Sequence, residues 1–298
     1  MLSQVFGISR QAHYQREVRL AKSLEEKEII LELIKPIRKK MHRFGSVKLY
    51  DKIKDDMNKK NIKKGRDKFL DLLREENMLV PKKKNYVKTT DSFHRFHKHK
   101  NLVKGLEVTC PEQVWVADIT YIKTDAGHHY LSLITDYYSK KIVGYYLADN
   151  MRTESSLIAL NMAIKSRQYP ERELIHHSDR GFQYCDNRYI DLLTKSNIKP
   201  SMTEVYDPYE NAVAERVNGI LKDEFDIGEG FKNHLQAIKE IKYAIETYNT
   251  FRPHLSCSKM TPEAAHNEGK FKMIKWGGRK KFKKKEVNNN NKEAYEKK

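Results

Sequence analysis

Apolar residues in the first third of the chain have the spacing of amphipathic helices. They recur every three or four positions in three segments, at 25–42, 47–57 and 69–73. Ser9 is expected to cap a short helix before the first of these segments, and Pro36 is expected to interrupt the helix at 25–42. Short basic helices joined by a turn resemble a helix-turn-helix, although a small bundle without nucleic-acid contacts is the alternative.

From residue 113 the pattern changes to short apolar runs typical of strands. Strands are predicted at 114–122, 129–136, 141–148, 173–177 and 198–202, and helices at 154–167, at 186–196 and around Glu215. The first three strands are joined by short loops, so they are expected to be antiparallel neighbours. Three antiparallel strands followed by helix, strand, helix, strand and helix is the order of the ribonuclease-H-like α/β fold, which we therefore predict.

Three acidic residues lie in or beside these predicted elements. Asp118 is in the first strand, Asp179 follows the fourth strand, and Glu215 is in the helix after the fifth. The predicted fold brings them to one edge of the sheet, where three carboxylates make an oxygen-rich site for hard divalent cations. Paired ions in such sites stabilise the attacking and leaving oxygens of phosphoryl transfer. We therefore predict that these three residues are catalytic and bind the metal.

Each acid also has a structural interpretation. A lone carboxylate in an apolar strand is costly to bury without a partner, which favours a functional role for Asp118. Asp179 could instead cap a turn, and Glu215 could pair with a neighbouring cation on the helix surface. Asp136 is the alternative for the first acid, but it lies where its strand enters a turn. The catalytic interpretation depends on the three acids and the order of the elements together.

Three polar residues border the predicted site and are expected to contact DNA. Lys222 lies seven residues, about two turns, after Glu215 and so on the same helix face. Arg180 follows Asp179 directly, and Asn211 lies four residues before Glu215. An exposed lysine without a function, and an arginine that pairs structurally, are the alternatives for Lys222 and Arg180.

The charge of the chain is unevenly distributed. The net charge is +18, and a mildly acidic segment at 111–269, with 18 Lys and Arg against 23 Asp and Glu, lies between two basic segments. Residues 1–110 carry 28 against 14, and residues 270–298 carry 12 against 3. Basic segments imply affinity for phosphate backbones that weakens with salt, although codon bias in an AT-rich genome is an alternative source of the lysines.

Cysteine usage and hydropathy favour a cytoplasmic protein. The three cysteines are Cys110, Cys185 and Cys257. They are far apart and odd in number, so they predict neither a disulfide framework nor a metal pair. The histidines at 94, 97 and 99 lack a nearby cysteine pair and are interpreted as part of a basic linker. No N-terminal signal segment or membrane-length apolar run occurs, so no membrane contact is expected.

Four motifs carry a resemblance to a known family. They are Trp115-x2-Asp118-Ile119-Thr120-Tyr121, His177-Ser178-Asp179-Arg180-Gly181-x-Gln183-Tyr184, Asn211-Ala212-x2-Glu215 and Tyr248-Asn249-x2-Arg252-Pro253-His254. With these motifs and its D-x35-E spacing, the chain resembles bacterial insertion-sequence transposases of the orfB type. These belong to the copy-and-paste frameshifting family within the retroviral integrase, or DDE, superfamily. The resemblance covers about 5–268 and departs from the family in the segment 201–210, which many relatives have more basic. The integrase zinc module is also absent from the sequence.

The resemblance implies an enzyme that uses two Mg²⁺ ions, with Mn²⁺ as a substitute, to cleave one strand at each insertion-sequence end. The freed 3′-hydroxyl would then attack DNA. Implied partners are double-stranded DNA, further copies of the chain in a homo-oligomer, and an upstream-frame product. Association with the bacterial nucleoid is also implied. The alternatives are a ribonuclease-H-like nuclease without strand transfer and a non-catalytic DNA-binding regulator.

Five segments follow from these observations. They are a helix-turn-helix-like DNA-binding region at 1–80, a basic linker at 81–110, a ribonuclease-H-like DDE catalytic core at 111–228, a C-terminal helical extension at 229–269, and a basic low-complexity tail at 270–298.

Overall fold

The computed structural model describes residues 9–81, 99–204 and 211–273. Most of the predicted linker and nearly all of the predicted basic tail lie outside these residues. In chain order the helices and strands are α1 (Arg10–Lys40), α2 (Ser46–Lys59), α3 (Arg66–Glu75), β1 (Val114–Thr124), β2 (Gly127–Asp136), β3 (Ile142–Ala148), α4 (Thr153–Lys165), β4 (Leu174–Ser178), α5 (Phe182–Cys185), α6 (Asn187–Lys195), β5 (Ile198–Met202), α7 (Ala212–Glu224), α8 (His234–Thr250), a 3-10 turn (Leu255–Cys257) and α9 (Pro262–Glu268).

The two helices predicted before residue 42 form one long helix, α1. Ser9 caps it as predicted, because its hydroxyl accepts a hydrogen bond from the backbone N–H of Ala12 at 3.1 Å. The predicted interruption at Pro36 is wrong, since the helix continues to Lys40. Pro36 and Glu32, whose carbonyl loses its helical hydrogen bond to the proline, are both exposed, while buried Ile34 and Ile37 hold this part of the helix in place.

Helices α1, α2 and α3 enclose a core of their own. Its largest fully buried members are Ile30, Ile34, Met41, Phe44, Leu49, Ile53, Met57, Phe69 and Leu73. Phe251, just after α8, packs against this core, and its ring centroid lies 6.4 Å from that of Phe44. The N-terminal helices therefore pack against the end of α8.

The described residues contain a five-stranded sheet in the order β3-β2-β1-β4-β5. The predicted antiparallel arrangement of the first three strands is confirmed, and β4 and β5 run parallel to β1. In the β1–β4 pairing the last matched residues are Ala117 and Ser178. Asp118 and Asp179 therefore each lie one residue beyond the same point, on neighbouring strands.

Helices cover both faces of this sheet. On one face, α4, α5 and α6 pack over Trp115, Ala117 and Ile134. On the other face, α7 and α8 pack over Ile122 and Leu131. Because successive side chains in a strand point to opposite faces, Asp118 lies on the side of Ile122, towards α7. Among the described residues, no helix combines the length and apolarity that a membrane crossing would need.

Candidate active site

Asp118 lies on β1 and is held from both sides. Its Oδ2 accepts a hydrogen bond from Nδ2 of Asn218 on α7 at 2.7 Å, and its Oδ1 accepts one from the N–H of Ile119 at 2.9 Å. Burial, the charge of Asp179 and the weaker effect of Glu215 raise the pKa of Asp118 to about 7, against the two hydrogen bonds. The pKa of Asp118 is therefore raised because its carboxylate is buried and is repelled by the carboxylate of Asp179.

Asp179 lies in the turn between β4 and α5. Its Oδ1 accepts a hydrogen bond from the N–H of Gly181 at 3.0 Å, and its carbonyl accepts one from the hydroxyl of Ser178 at 2.9 Å. A Cβ at Gly181 would lie 3.0 Å from that same Oδ1, so the turn is tight around the carboxylate. The backbone therefore fixes where this carboxylate lies.

Glu215 is in the first turn of α7, and its side chain is exposed. The start of this helix is tied to the sheet by Asn211, whose Nδ2 donates to the carbonyl of Ala117 at 3.0 Å. Three residues after Glu215, Asn218 contacts Asp118. Two asparagines thus join α7 to β1 on either side of the position where Glu215 projects.

The chemistry of these donors suits a hard cation, although the ligands are not preassembled. Within 9–81, 99–204 and 211–273, no three His, Cys, Asp or Glu side chains are grouped closely enough to hold a metal ion. Around the carboxylates, however, Oδ1 of Asn211, Oδ1 of Asn218 and the hydroxyl of Tyr184 are buried with no hydrogen-bond partner in the described residues. Such unpartnered oxygens, beside mutually repelling carboxylates, fit a site completed by a cation and its water.

The predicted DNA contacts have different settings. Lys222 is half-buried on α7; burial lowers its pKa, and the charges of Asp118 and Asp223 act in the opposite direction. Its ammonium group is therefore within electrostatic range of the site. Arg180 instead donates from Nε to the carbonyl of Thr203 at 2.6 Å. This contact ties the turn after β4 to the segment after β5, and the DNA contact of Arg180 stays a prediction.

The alternative first acid, Asp136, belongs to a turn. Its Oδ1 accepts hydrogen bonds from the N–H and hydroxyl of Ser139, both at 2.7 Å, and its Oδ2 accepts one from the N–H of Glu112 at 2.7 Å. It is fully buried. Its carboxylate thus stabilises the β2–β3 connection.

Sequence analysis missed Asn218 as a residue of this site. The only available signal was its spacing, because a residue three positions after Glu215 lies on the same helix face. Nothing in the sequence indicated which residue of β1 that face would contact.

Comparisons with known proteins show which families this chain is similar to. Two models described as integrase core domain match residues 108–208 and 196–262. The insertion element IS600 31 kDa protein of Shigella sonnei is 35% identical over 268 residues, which is 88% of this chain and 96% of that protein. Transposase InsF for insertion sequence IS3A of Escherichia coli is 35% identical over 159 residues, 53% of this chain and 55% of that protein.

Among solved structures, the HTLV-2 integrase catalytic core domain in complex with magnesium is similar to this chain with a TM-score of 0.42 and 20% identity. The region of similarity covers 52% of this chain and 97% of the chain in that structure.

Proposed function

Because the chain belongs to the insertion-sequence transposases with an integrase core domain, the DDE polynucleotidyl transferases, we propose that Asp118, Asp179 and Glu215 are its catalytic carboxylates. The observation that carries this proposal is the meeting of β1, the end of β4 and the start of α7. Asp118 and Asp179 each lie one residue past the last paired residues of β1 and β4. Asn218 on α7 donates a hydrogen bond to Asp118, and Asn211, directly before α7, donates one to the carbonyl of Ala117. Glu215 lies between those asparagines.

The three carboxylates would hold two Mg²⁺ ions, or Mn²⁺, which supply activation of the attacking oxygen and stabilisation of the leaving oxygen. The chain itself supplies the positioning. Asn218 and the N–H of Ile119 orient the carboxylate of Asp118, and the N–H of Gly181 orients that of Asp179. Lys222 would contact a phosphate beside them.

The proposed substrate is double-stranded DNA, cleaved at insertion-sequence ends and joined by attack of the freed 3′-hydroxyl. The basic segment 1–110 would attract the duplex through its phosphates. Bringing two ends together requires a binding surface for each end, so a homo-oligomer is proposed as the working form. An upstream-frame product is a further proposed partner.

The test of the carboxylates uses Asp118→Asn, Asp179→Asn and Glu215→Gln, with Asp125→Asn as a matched control on the exposed β1–β2 turn. Labelled duplexes carrying the insertion-sequence end are incubated with Mg²⁺, and cleaved and strand-transferred products are separated. Each site variant is expected to lose cleavage while binding the duplex in EDTA as the wild type does, and the control is expected to keep both.

Mg²⁺-dependent cleavage by any site variant would remove that residue from the proposal. The wild type is also supplied with a DNA end that carries a free 3′-hydroxyl and with target DNA. If it cleaves DNA but forms no joined products, the result would favour a ribonuclease-H-like nuclease without strand transfer.

Asn218→Ala tests the positioning of Asp118. Hydrogen bonds to charged groups contribute about 1.5–3 kcal/mol, so cleavage is expected to slow by about tenfold to a hundredfold and to need more Mg²⁺. The rate is measured as a function of Mg²⁺ concentration. A purely structural role for Asn218 would lower the unfolding midpoint and leave the Mg²⁺ dependence unchanged.

A further inference from the structure

A groove with a volume of about 610 Å³ lies beside α7 and is separate from the carboxylate site. It is formed by α2, the β2–β3 connection, α7 and the segment after α8. We call it the cation groove after the five basic residues that line it, which are Lys48, Lys140, Arg216, Arg252 and His254. No acidic side chain is among the described residues that line it.

The positive charge of this groove is only partly neutralised. Glu224 lies behind it and accepts hydrogen bonds from Lys48 at 2.7 Å and from two nitrogens of Arg252, each at 2.7 Å. In the part of the chain that the structure describes, Lys140 donates to the carbonyl of Tyr137, and the charge of Asp136 also acts on it. Lys48, Arg252 and Lys140 thus each have an acceptor, whereas Arg216 has none in the described residues.

Two groups of the groove lack a partner in the described residues. Arg216 is exposed and makes no hydrogen bond or ion pair there. His254 uses Nδ1 to contact the hydroxyl of Ser256 at 2.8 Å, and its Nε2 is shielded from solvent without any hydrogen bond. The exposed guanidinium of Arg216 can donate to an acceptor placed in the groove, and the buried Nε2 of His254 gains from a hydrogen-bond partner there.

The basic groups also repel one another. Burial, then the charge of Arg252, lowers the pKa of Lys48 to about 8, with a smaller effect of Arg216. Burial lowers the pKa of Lys140 to about 8. Burial, followed by the charges of Arg252 and Lys140, lowers the pKa of His254 to about 3. A bound anion would offset this repulsion, so the electrostatics agree with the geometry.

We propose that the cation groove binds a backbone phosphate of the DNA that the carboxylate site acts on. Arg216 directly follows Glu215, so the groove and the carboxylates occupy adjacent faces of α7. A helix with its side chains is about 10–12 Å across, so one DNA strand spans both faces within a few nucleotides. The guanidinium fork of Arg216 suits phosphate oxygens. The inference rests on the proposed function for DNA as the source of the phosphate.

The test measures the salt dependence of DNA binding by the full chain. A fluorescein-labelled duplex is titrated in EDTA, which prevents cleavage, between about 50 and 200 mM salt. Arg216→Gln is compared with Lys239→Gln, which removes the same charge from an exposed position on α8 outside the groove. Arg216→Gln is expected to bind several-fold more weakly and to reduce the slope of log K against log salt by about 0.9 more than the control does.

Equal slopes of log K against log salt for Arg216→Gln and Lys239→Gln would overturn the groove proposal. That result would not affect the proposal for the three carboxylates. Conversely, cleavage by the Asp118→Asn variant together with a reduced slope for Arg216→Gln would overturn the triad and leave the groove. Calorimetry with inorganic phosphate separates the two sources of the anion. In one outcome, the wild type binds free phosphate and the Arg216→Gln variant does not, while both show the same slope of DNA binding against salt. That result would assign the groove to free phosphate instead of DNA.

Discussion

Arg252 and Lys48 both pair with Glu224, yet the structure predicts opposite consequences when each is replaced. Arg252 is 2% exposed and meets both oxygens of Glu224 at 2.7 Å. Lys48 makes one contact with the same carboxylate at 2.7 Å, close to the repelling charges of Arg252 and Arg216. The bidentate pair is the one with the geometry of a strong buried ion pair.

The pKa values give the magnitude. Burial alone would raise the pKa of Glu224, but the hydrogen bond and charge of Arg252, followed by Lys48, hold it at about 2, below its usual 4.5. At about 1.4 kcal/mol per pH unit, this is about 3 kcal/mol of stability, present above pH 4.5 and lost as the pH falls towards 2.

The pKa of Lys48 points the other way. Burial first, then Arg252, lowers it from 10.5 to about 8, so its charged form costs the folded state about 3 kcal/mol below pH 8. The contact with Glu224 favours the charged form of Lys48, but burial and the charge of Arg252 outweigh it. At Glu224 the two contacts with buried Arg252 outweigh burial, so the stabilising interaction of this cluster is the one between Glu224 and Arg252.

Arg252→Met is therefore expected to lower the free energy of unfolding by about 3–5 kcal/mol, because it leaves a buried carboxylate with one partner. Lys48→Met keeps the bidentate pair and removes a repelled charge, so it should change that free energy by less than about 1 kcal/mol or raise it. Urea unfolding at pH 7, followed by tryptophan fluorescence, measures both. A larger loss for Lys48→Met than for Arg252→Met would refute the reasoning.

Two further predictions concern stability. A Cβ at Gly144 would lie 2.2 Å from the carbonyl oxygen of Ala159, so Gly144→Ala should destabilise the protein by about 1–3 kcal/mol. Gly219 has nothing within 4 Å and lies inside α7, so Gly219→Ala should stabilise it by about 0.5–1 kcal/mol; thermal unfolding checks both, and equal shifts would contradict them. Burial would raise the pKa of Glu112, but hydrogen bonds, that of His266 foremost, lower it from 4.5 to about 2. Glu112→Gln should therefore weaken the loss of stability between pH 4.5 and 2, and an unchanged pH profile of unfolding midpoints would exclude this.

The sheet was predictable because its signals are local. Apolar runs separated by short loops left little choice but antiparallel neighbours, and the predicted strand at 198–202 has those bounds in the structure. The break expected at Pro36 did not occur, because buried Ile34 and Ile37 hold the helix on both sides of the proline. The sequence does not show how strongly that packing offsets the hydrogen bond that a proline removes.

The sequence predicts the acids of the candidate site but not the residues that support them. Asp118, Asp179 and Glu215 stood out through their positions relative to the predicted elements. The contact between Asn218 and Asp118 joins residues 100 positions apart, and only the packing of α7 on β1 creates it. Likewise, the sequence does not show that Asp136 stabilises a buried turn. An aspartate at the end of a strand gives the same sequence pattern whether it binds a metal or accepts hydrogen bonds within a turn.

The pairing of β1 with β4 has a consequence for inactivating mutations. Side chains alternate between the two sides of a strand, so a slip of one residue would turn one aspartate to the opposite side of the sheet from its companion. Under the proposed function, activity therefore depends on the alignment of β1 with β4. Under the same proposal, replacing an apolar residue of this pairing, such as Val114 or Ile175, would inactivate the enzyme with every acidic residue intact.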